Sequence, residues 1–130
     1  MKLLLDTHIF LWYISADSQL PESFRNAIRD PSNEVNLSVA SVWEAVIKHS
    51  LGKLPLPAPP ADYLLAQRVA HEISSLPIEE EAFQFLAALP PLHRDPFDRI
   101  LVAQALQRKL TLVTVDDAIR LYSVPLLSET

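Results

Sequence analysis

Acidic residues recur wherever this chain changes character. Asp6 follows "KLLL", Glu44 lies inside "SVWEAV", Asp95 and Asp98 open "DPFDRILVAQALQR", and Asp116 and Asp117 follow "LTLVTV". Each has an ordinary explanation, because a carboxylate at a helix start accepts backbone N–H groups and suits the positive end of the helix dipole. Asp6 and Asp116 would cap helices, and Asp95-Pro96 reads as a cap with proline at the first helical position. Ser41 to Glu44 spells a capping box, and Glu44 stands four residues before Lys48. Capping does not explain the repetition, since Ser, Thr and Asn cap about as well as Asp. Carboxylates gathered within a few ångströms repel and raise one another's pKa unless a cation lies between them. Mg²⁺ and Mn²⁺ are hard ions that take oxygen ligands, so an Asp/Glu set suits them better than zinc. The chemistry implied is metal-assisted phosphoryl transfer.

Such acids meet only if the fold gathers them. "KLLL" at 2–5 is a continuous apolar run expected as a strand buried on both faces, and "DTHIFLWYI" continues as a helix. "PESFRNAIRD" predicts a second helix closed by Pro31, and "VNLS" at 35–38 a second strand. The helix after it is expected to place Val39, Val42, Trp43, Val46 and Ile47 on one helical face. "LGKLPLPAPP" reads as a loop, with Gly52 at the helix end. Then come a helix "ADYLLAQRVAHE", a strand "ISSLPI", a helix "EEEAFQFLAAL" ended by Pro90 and Pro91, and the helix entered through Asp95-Pro96. "LTLVT" at 110–114 is a strand, "DDAIRLY" a short helix and "VPLL" an edge strand. Strands alternating with helices predict an α/β fold, a three-layer α/β/α sandwich with a mainly parallel sheet of about five strands. In such a sheet every strand ends at the same edge, where ligands bind. Several of the acids therefore converge there.

Composition bounds the rest. A chain of 130 residues suffices for one domain with its own core. Cysteine is absent, which excludes disulfides, thiolate metal sites and cysteine nucleophiles. The net charge of -5 argues against gripping nucleic acid through a broad basic face. A bound ion would still reverse the sign locally. "MKLLLDTHIFLWYI" superficially suggests a signal peptide, but Asp6 and His8 interrupt it, so it is expected to be mature structure. Nothing approaches the roughly 20 apolar residues of a membrane span, and a cytoplasmic protein is the default expectation.

"LLLDTHIFLW", "SVASVWEAVIKHSLGKL", "HRDPFDRILVAQA" and "LTLVTVDDAI" resemble, in order and spacing, the successive motifs of PIN-domain proteins, and in particular of VapC-type toxins of bacterial toxin–antitoxin pairs. The resemblance spans almost the whole chain. It implies a Mg²⁺- or Mn²⁺-dependent endoribonuclease, usually a homo-oligomer and held inactive by a cognate antitoxin. It also implies that Asp6, Glu44, Asp98 and Asp116 form the catalytic and metal-holding set. Asp98 is favoured over Asp95, which then supports the site or caps the helix, and Asp117 leaves the fourth position ambiguous. Thr7 is a candidate to orient Asp6, while His8, His93, Arg94 and Arg99 are candidates to contact RNA phosphate. Trp12, Trp43, Phe83, Phe85 and Phe97 are expected in the core or at an oligomer contact.

Other classes fit less well. A receiver-type phosphoacceptor needs a lysine at a strand end, whereas Lys109 precedes its strand. A haloacid-dehalogenase-type phosphatase needs a second Asp two residues after the first, where "DTH" has His8. The remaining alternative is a PIN fold kept as an RNA- or protein-binding module without nuclease activity.

Overall fold

The computed structural model describes residues 1–130. Its elements run β1 (Lys2–Leu5), α1 (Thr7–Ile14), α2 (Glu22–Arg29), β2 (Glu34–Ser38), α3 (Val39–Ser50), α4 (Pro60–Ala70), β3 (Ser74–Leu76), α5 (Ala82–Ala88), α6 (Pro96–Arg108), β4 (Thr111–Val113) and α7 (Asp117–Arg120). The strands form one sheet in the order β3-β2-β1-β4, and every pairing is parallel. Leu3 pairs with Val35 on one side and Thr111 on the other, so β1 is central.

The three leucines of β1 show why a continuous apolar run marks such a strand. Successive side chains point to opposite faces of a sheet. Leu3 and Leu5 join Ile9, Phe10, Phe24, Ile28 and Leu64 on the α1, α2 and α4 side. Leu4 joins Leu101, Val102, Leu112 and Ile119 on the α6 and α7 side. All three leucines are fully buried, and helices cover both faces in the expected α/β/α order.

Three expectations change. The edge strand at 124–127 is reduced to one parallel bridge between Leu112 and Leu126, so the sheet has four strands. Leu112 donates to Pro125 O at 2.8 Å and accepts from Leu127 N at 3.0 Å, and Pro125 itself has no N–H to extend the ladder. β4 stops at Val113, which places Thr114 and Val115 between the strand and Asp116.

The third change is the rotation of α3. Its buried residues are Ala40, Ser41, Glu44 and Ala45, while Val39 and Trp43 are exposed, Trp43 at 59%. Ser38, not Ser41, is the cap, accepting from Ala40 N at 3.0 Å. The same hydroxyl donates to Gln104 Oε1 on α6 at 2.6 Å, which anchors the helix start. Small residues at Ala40 and Ala45 let α3 approach its neighbours closely, and Glu44 lies between them. Gly52 sits just past α3 at φ 71, a left-handed turn that suits glycine. No helix is long and apolar enough to cross a membrane.

Candidate acidic site at the sheet edge

Parallel pairing sends β1, β2 and β4 out at the same edge. Asp6 is the first residue beyond β1, and its N–H still bonds Val113 O at 3.0 Å, so the sheet itself holds its backbone. Its Oδ1 accepts from Thr7 N at 2.7 Å and its Oδ2 from the Thr114 hydroxyl at 2.8 Å. Thr114 Oγ1 in turn accepts from Asp116 N at 3.0 Å, which couples the exit of β4 to that of β1.

Glu44 reaches the same edge from α3. The Thr7 hydroxyl donates to its Oε1 at 2.7 Å and lies 2.9 Å from Ser41 Oγ. Lys48, one turn further on, donates to Oε2 at 2.5 Å.

The two acids of "DPFD" divide their labour. Asp95 caps α6, its Oδ1 accepting from Phe97 N at 2.9 Å and Asp98 N at 3.2 Å. Asp98 has no capping bond to make and is turned inward, where its Oδ2 accepts from His93 Nε2 at 3.2 Å. Asp116 is half-buried and its Oδ1 accepts from Ala118 N at 2.8 Å. Asp117 is exposed and pairs with Arg120, pointing away from the other acids.

Asp6, Glu44 and Asp98 are 6%, 3% and 7% exposed, a level at which a lone ionised carboxylate is strongly disfavoured. Burial pushes Asp98 up to about 8, with the charges of Asp6, Asp95, Asp116 and Glu44 adding to the effect. Burial also raises Asp6, against the lowering influence of Thr114, Thr7 and the nearby His8, and Glu44 raises it further. Burial by itself would lower Lys48, but Glu44, then Asp95 and Asp98, carry it above its usual value. The four acids thus act on one another through poorly screened space.

As the side chains stand, no three of the chain's Asp, Glu or His residues are grouped so as to hold a metal ion. Each acid is turned toward an internal partner, and Lys48 supplies part of the missing positive charge. The donor set nevertheless fits a hard divalent cation. It is all carboxylate, three of its four members are buried, and its mutual repulsion is of the kind that an ion relieves.

The outlying candidates separate. Arg94 is exposed near the end of the loop into α6 and forms no ion pair. Arg99 is engaged within the chain, its Nη1 donating to Pro90 O and to Tyr122 Oη, each at 2.9 Å. His8 is exposed, with its ring 6.1 Å from that of Trp12. Trp43 meets Phe97 edge-on at 5.1 Å, lining an apolar groove with Ile78, Phe83 and Leu86. Sequence reasoning did not single out Thr114 or Tyr122. Thr114 read only as a strand residue, and Tyr122 lies 29 residues from the histidine it meets.

Known proteins share this architecture. Ribonuclease VapC16 of Mycobacterium tuberculosis (strain ATCC 25618 / H37Rv) is 48% identical over 40 residues, 31% of this chain and 28% of that protein. The match thus spans less than a third of the relative. Among solved structures, VapBC2 from Rickettsia felis bound to a DNA fragment from its promoter aligns with a TM-score of 0.69 at 15% identity, over 98% of both chains. VapBC-1 from nontypeable Haemophilus influenzae aligns with a TM-score of 0.66 at 16% identity, over 99% of this chain and 98% of that one. The two structural likenesses establish a shared fold. The PIN domain model matches residues 3–124, a span that contains all four converging acids, and the chain belongs to the PIN domain family.

Proposed function

We propose that this chain is a divalent-metal-dependent endoribonuclease, acting as one domain and as the toxin of a toxin–antitoxin pair. The observation that carries this is the burial of Asp6, Glu44 and Asp98 at one sheet edge, with Asp98 held far above its ordinary titration range. A fold does not need such an arrangement for stability, and groups perturbed in this way concentrate at functional sites. Family membership and the 40-residue likeness to a VapC ribonuclease support the same reading.

Asp6, Glu44, Asp98 and Asp116 would together hold Mg²⁺ or Mn²⁺. When bound, the ion supplies Lewis acidity toward a phosphodiester and toward water at neutral pH. The chain's own residues prepare the place. Thr114 and Thr7 fix the orientation of Asp6 and Glu44, and Lys48 compensates Glu44. Asp95 assists only by capping α6, and exposed Arg94 is free to meet RNA phosphate. Arg99 is assigned to holding Tyr122 and the loop at Pro90. A cognate antitoxin is the proposed protein partner, by analogy with the VapBC complexes that share the fold. The exposed apolar groove around Trp43 and Phe83 supports a homo-oligomer.

Purified protein is expected to cleave RNA with Mn²⁺ or Mg²⁺ and to stop in EDTA. Asp6→Asn tests the site against a pure capping role, since Asn caps about as well. In EDTA the variant should melt at the same temperature as wild type or higher, because one repelling charge is gone. On adding Mn²⁺, wild type should gain stability by mass action and the variant much less. Cleavage that persists in chelator, or an equal Mn²⁺ shift in both proteins, would leave a PIN fold acting as a binding module.

A further inference from the structure

His93, in the loop before α6, joins Asp98 to Arg99 and Tyr122 through a chain of polar groups that capping does not account for. Arg99 Nη1 donates to Tyr122 Oη at 2.9 Å, and the guanidinium lies 5.9 Å from the centre of the tyrosine ring. Tyr122 Oη lies 2.7 Å from His93 Nδ1, and His93 Nε2 lies 3.2 Å from Asp98 Oδ2. His93 is largely enclosed, with 17% of its side chain exposed, so few waters compete for these bonds.

The chemistry of the donors makes this chain directional. A guanidinium only donates, so the tyrosine oxygen accepts from Arg99. The phenolic hydrogen is then available to His93 Nδ1, and the ionised carboxylate of Asp98, which only accepts, favours the proton on Nε2. A neutral imidazole that accepts at Nδ1 carries its proton on Nε2, and that proton points at Asp98. One carboxylate oxygen of Asp98 is thereby held by a fixed donor, while Oδ1 has no hydrogen-bond partner in the chain.

We propose that His93 is a positioning residue for Asp98: Arg99 and Tyr122 reinforce the Nε2–H tautomer that the carboxylate favours, and that proton orients the carboxylate so that Oδ1 is presented to the ion. This rests on the proposed ion-holding role of Asp98. Groups that hold a ligand from behind commonly matter by 10–100-fold in metal affinity. It also explains why "HRDPFDR" places a histidine five residues before the acid. His93 crosses the cap formed by Asp95 to reach the face of α6 that Asp98 occupies.

Two measurements test it. The first requires no metal: imidazole ¹⁵N spectra at about pH 8.5, where an ordinary histidine is neutral. Wild-type His93 should be the Nε2–H tautomer, and Tyr122→Phe, which deletes the hydroxyl but keeps the Asp98 carboxylate, should show a measurable rise in the Nδ1–H fraction. An Nδ1–H tautomer in wild type, or an unchanged spectrum in Tyr122→Phe, would overturn the relay. The second measurement is Mn²⁺ binding by titration calorimetry. His93→Phe should bind at least ~10-fold more weakly while melting near wild type in EDTA, and His93→Gln, whose amide N–H can replace Nε2–H, should recover most of the affinity. Wild-type affinity in His93→Phe would refute the positioning role, as would a Gln variant as weak as Phe. If wild type binds no Mn²⁺, the ion-holding role of Asp98 falls, and the tautomer spectra alone decide whether the relay exists.

Discussion

Helices α2 and α3 follow opposite rules. α2 buries Phe24 and Ile28 and turns Glu22, Asn26 and Arg29 outward, as the hydrophobic effect requires of a helix lying on a core. α3 buries Ser41 and Glu44 and leaves Trp43 exposed. Taking a carboxylate out of water costs several kcal/mol before its partners answer, and only Thr7 and Lys48 answer for Glu44. α2 therefore serves stability, whereas α3 gives up apolar burial to aim one side chain at the sheet edge.

The contrast breaks most visibly through Phe24. Phe24→Ala opens a cavity in a fully buried position and should reduce the unfolding free energy by about 3–5 kcal/mol in urea. The surviving folded protein should keep its Mn²⁺-induced shift, and loss of that shift would make α2 part of the site.

Glu44→Gln should do the reverse. The amide oxygen can still accept from Thr7, and Lys48, whose side chain is 37% exposed, can turn from the new NH2 to water, so stability in EDTA should change little, while RNA cleavage should fall at least ~100-fold because several kcal/mol of ion-dependent stabilisation depend on the charge. Unfolding like that of Phe24→Ala would instead make Glu44 a structural strut.

The burial of Asp98 shows separately in the pH dependence of stability. Asp98 titrates at about 8 in the folded chain and near the ordinary value of ~3.9 when unfolded. Between these values the folded state holds more protons, so stability in EDTA should fall as pH rises from about 5 to 8. Asp98→Asn should flatten that decline. An equally steep fall in the variant would assign the pH dependence to another group.

Trp43→Ser gives the smallest expected change, within about 0.5 kcal/mol in urea, because an exposed side chain contributes little to the monomer. Its sedimentation should shift toward smaller species if the apolar groove joins two copies. A loss comparable to that of Phe24→Ala would mean that α3 is not inverted after all.

The same two helices mark what could be read from residues alone. Leu3, Leu4 and Leu5 announced a strand buried on both faces, and parallel pairing follows from the helices between strands. Asp6 and Glu44 were legible as candidates because their positions are measured from strand ends, which local patterns locate. The rotation of α3 was not legible. Its apolar residues outnumber its polar ones on the face that a hydrophobic pattern selects, yet of that face Val42 packs against the core while Val39 and Trp43 are exposed, in a helix fixed by the Ser38–Gln104 bond and its approach to α1.

Local rules therefore set which segments become strands and helices, and which helix starts carry an acid, because propensity, capping and alternation act within a few residues. The choice between Asp95 and Asp98, and between Asp116 and Asp117, was left to packing, since both members of each pair are chemically able to cap. Packing also brought Thr114 to Asp6 across 108 residues and Tyr122 to His93 across 29. Contacts of that kind depend on how whole elements meet, and no spacing along the chain encodes them.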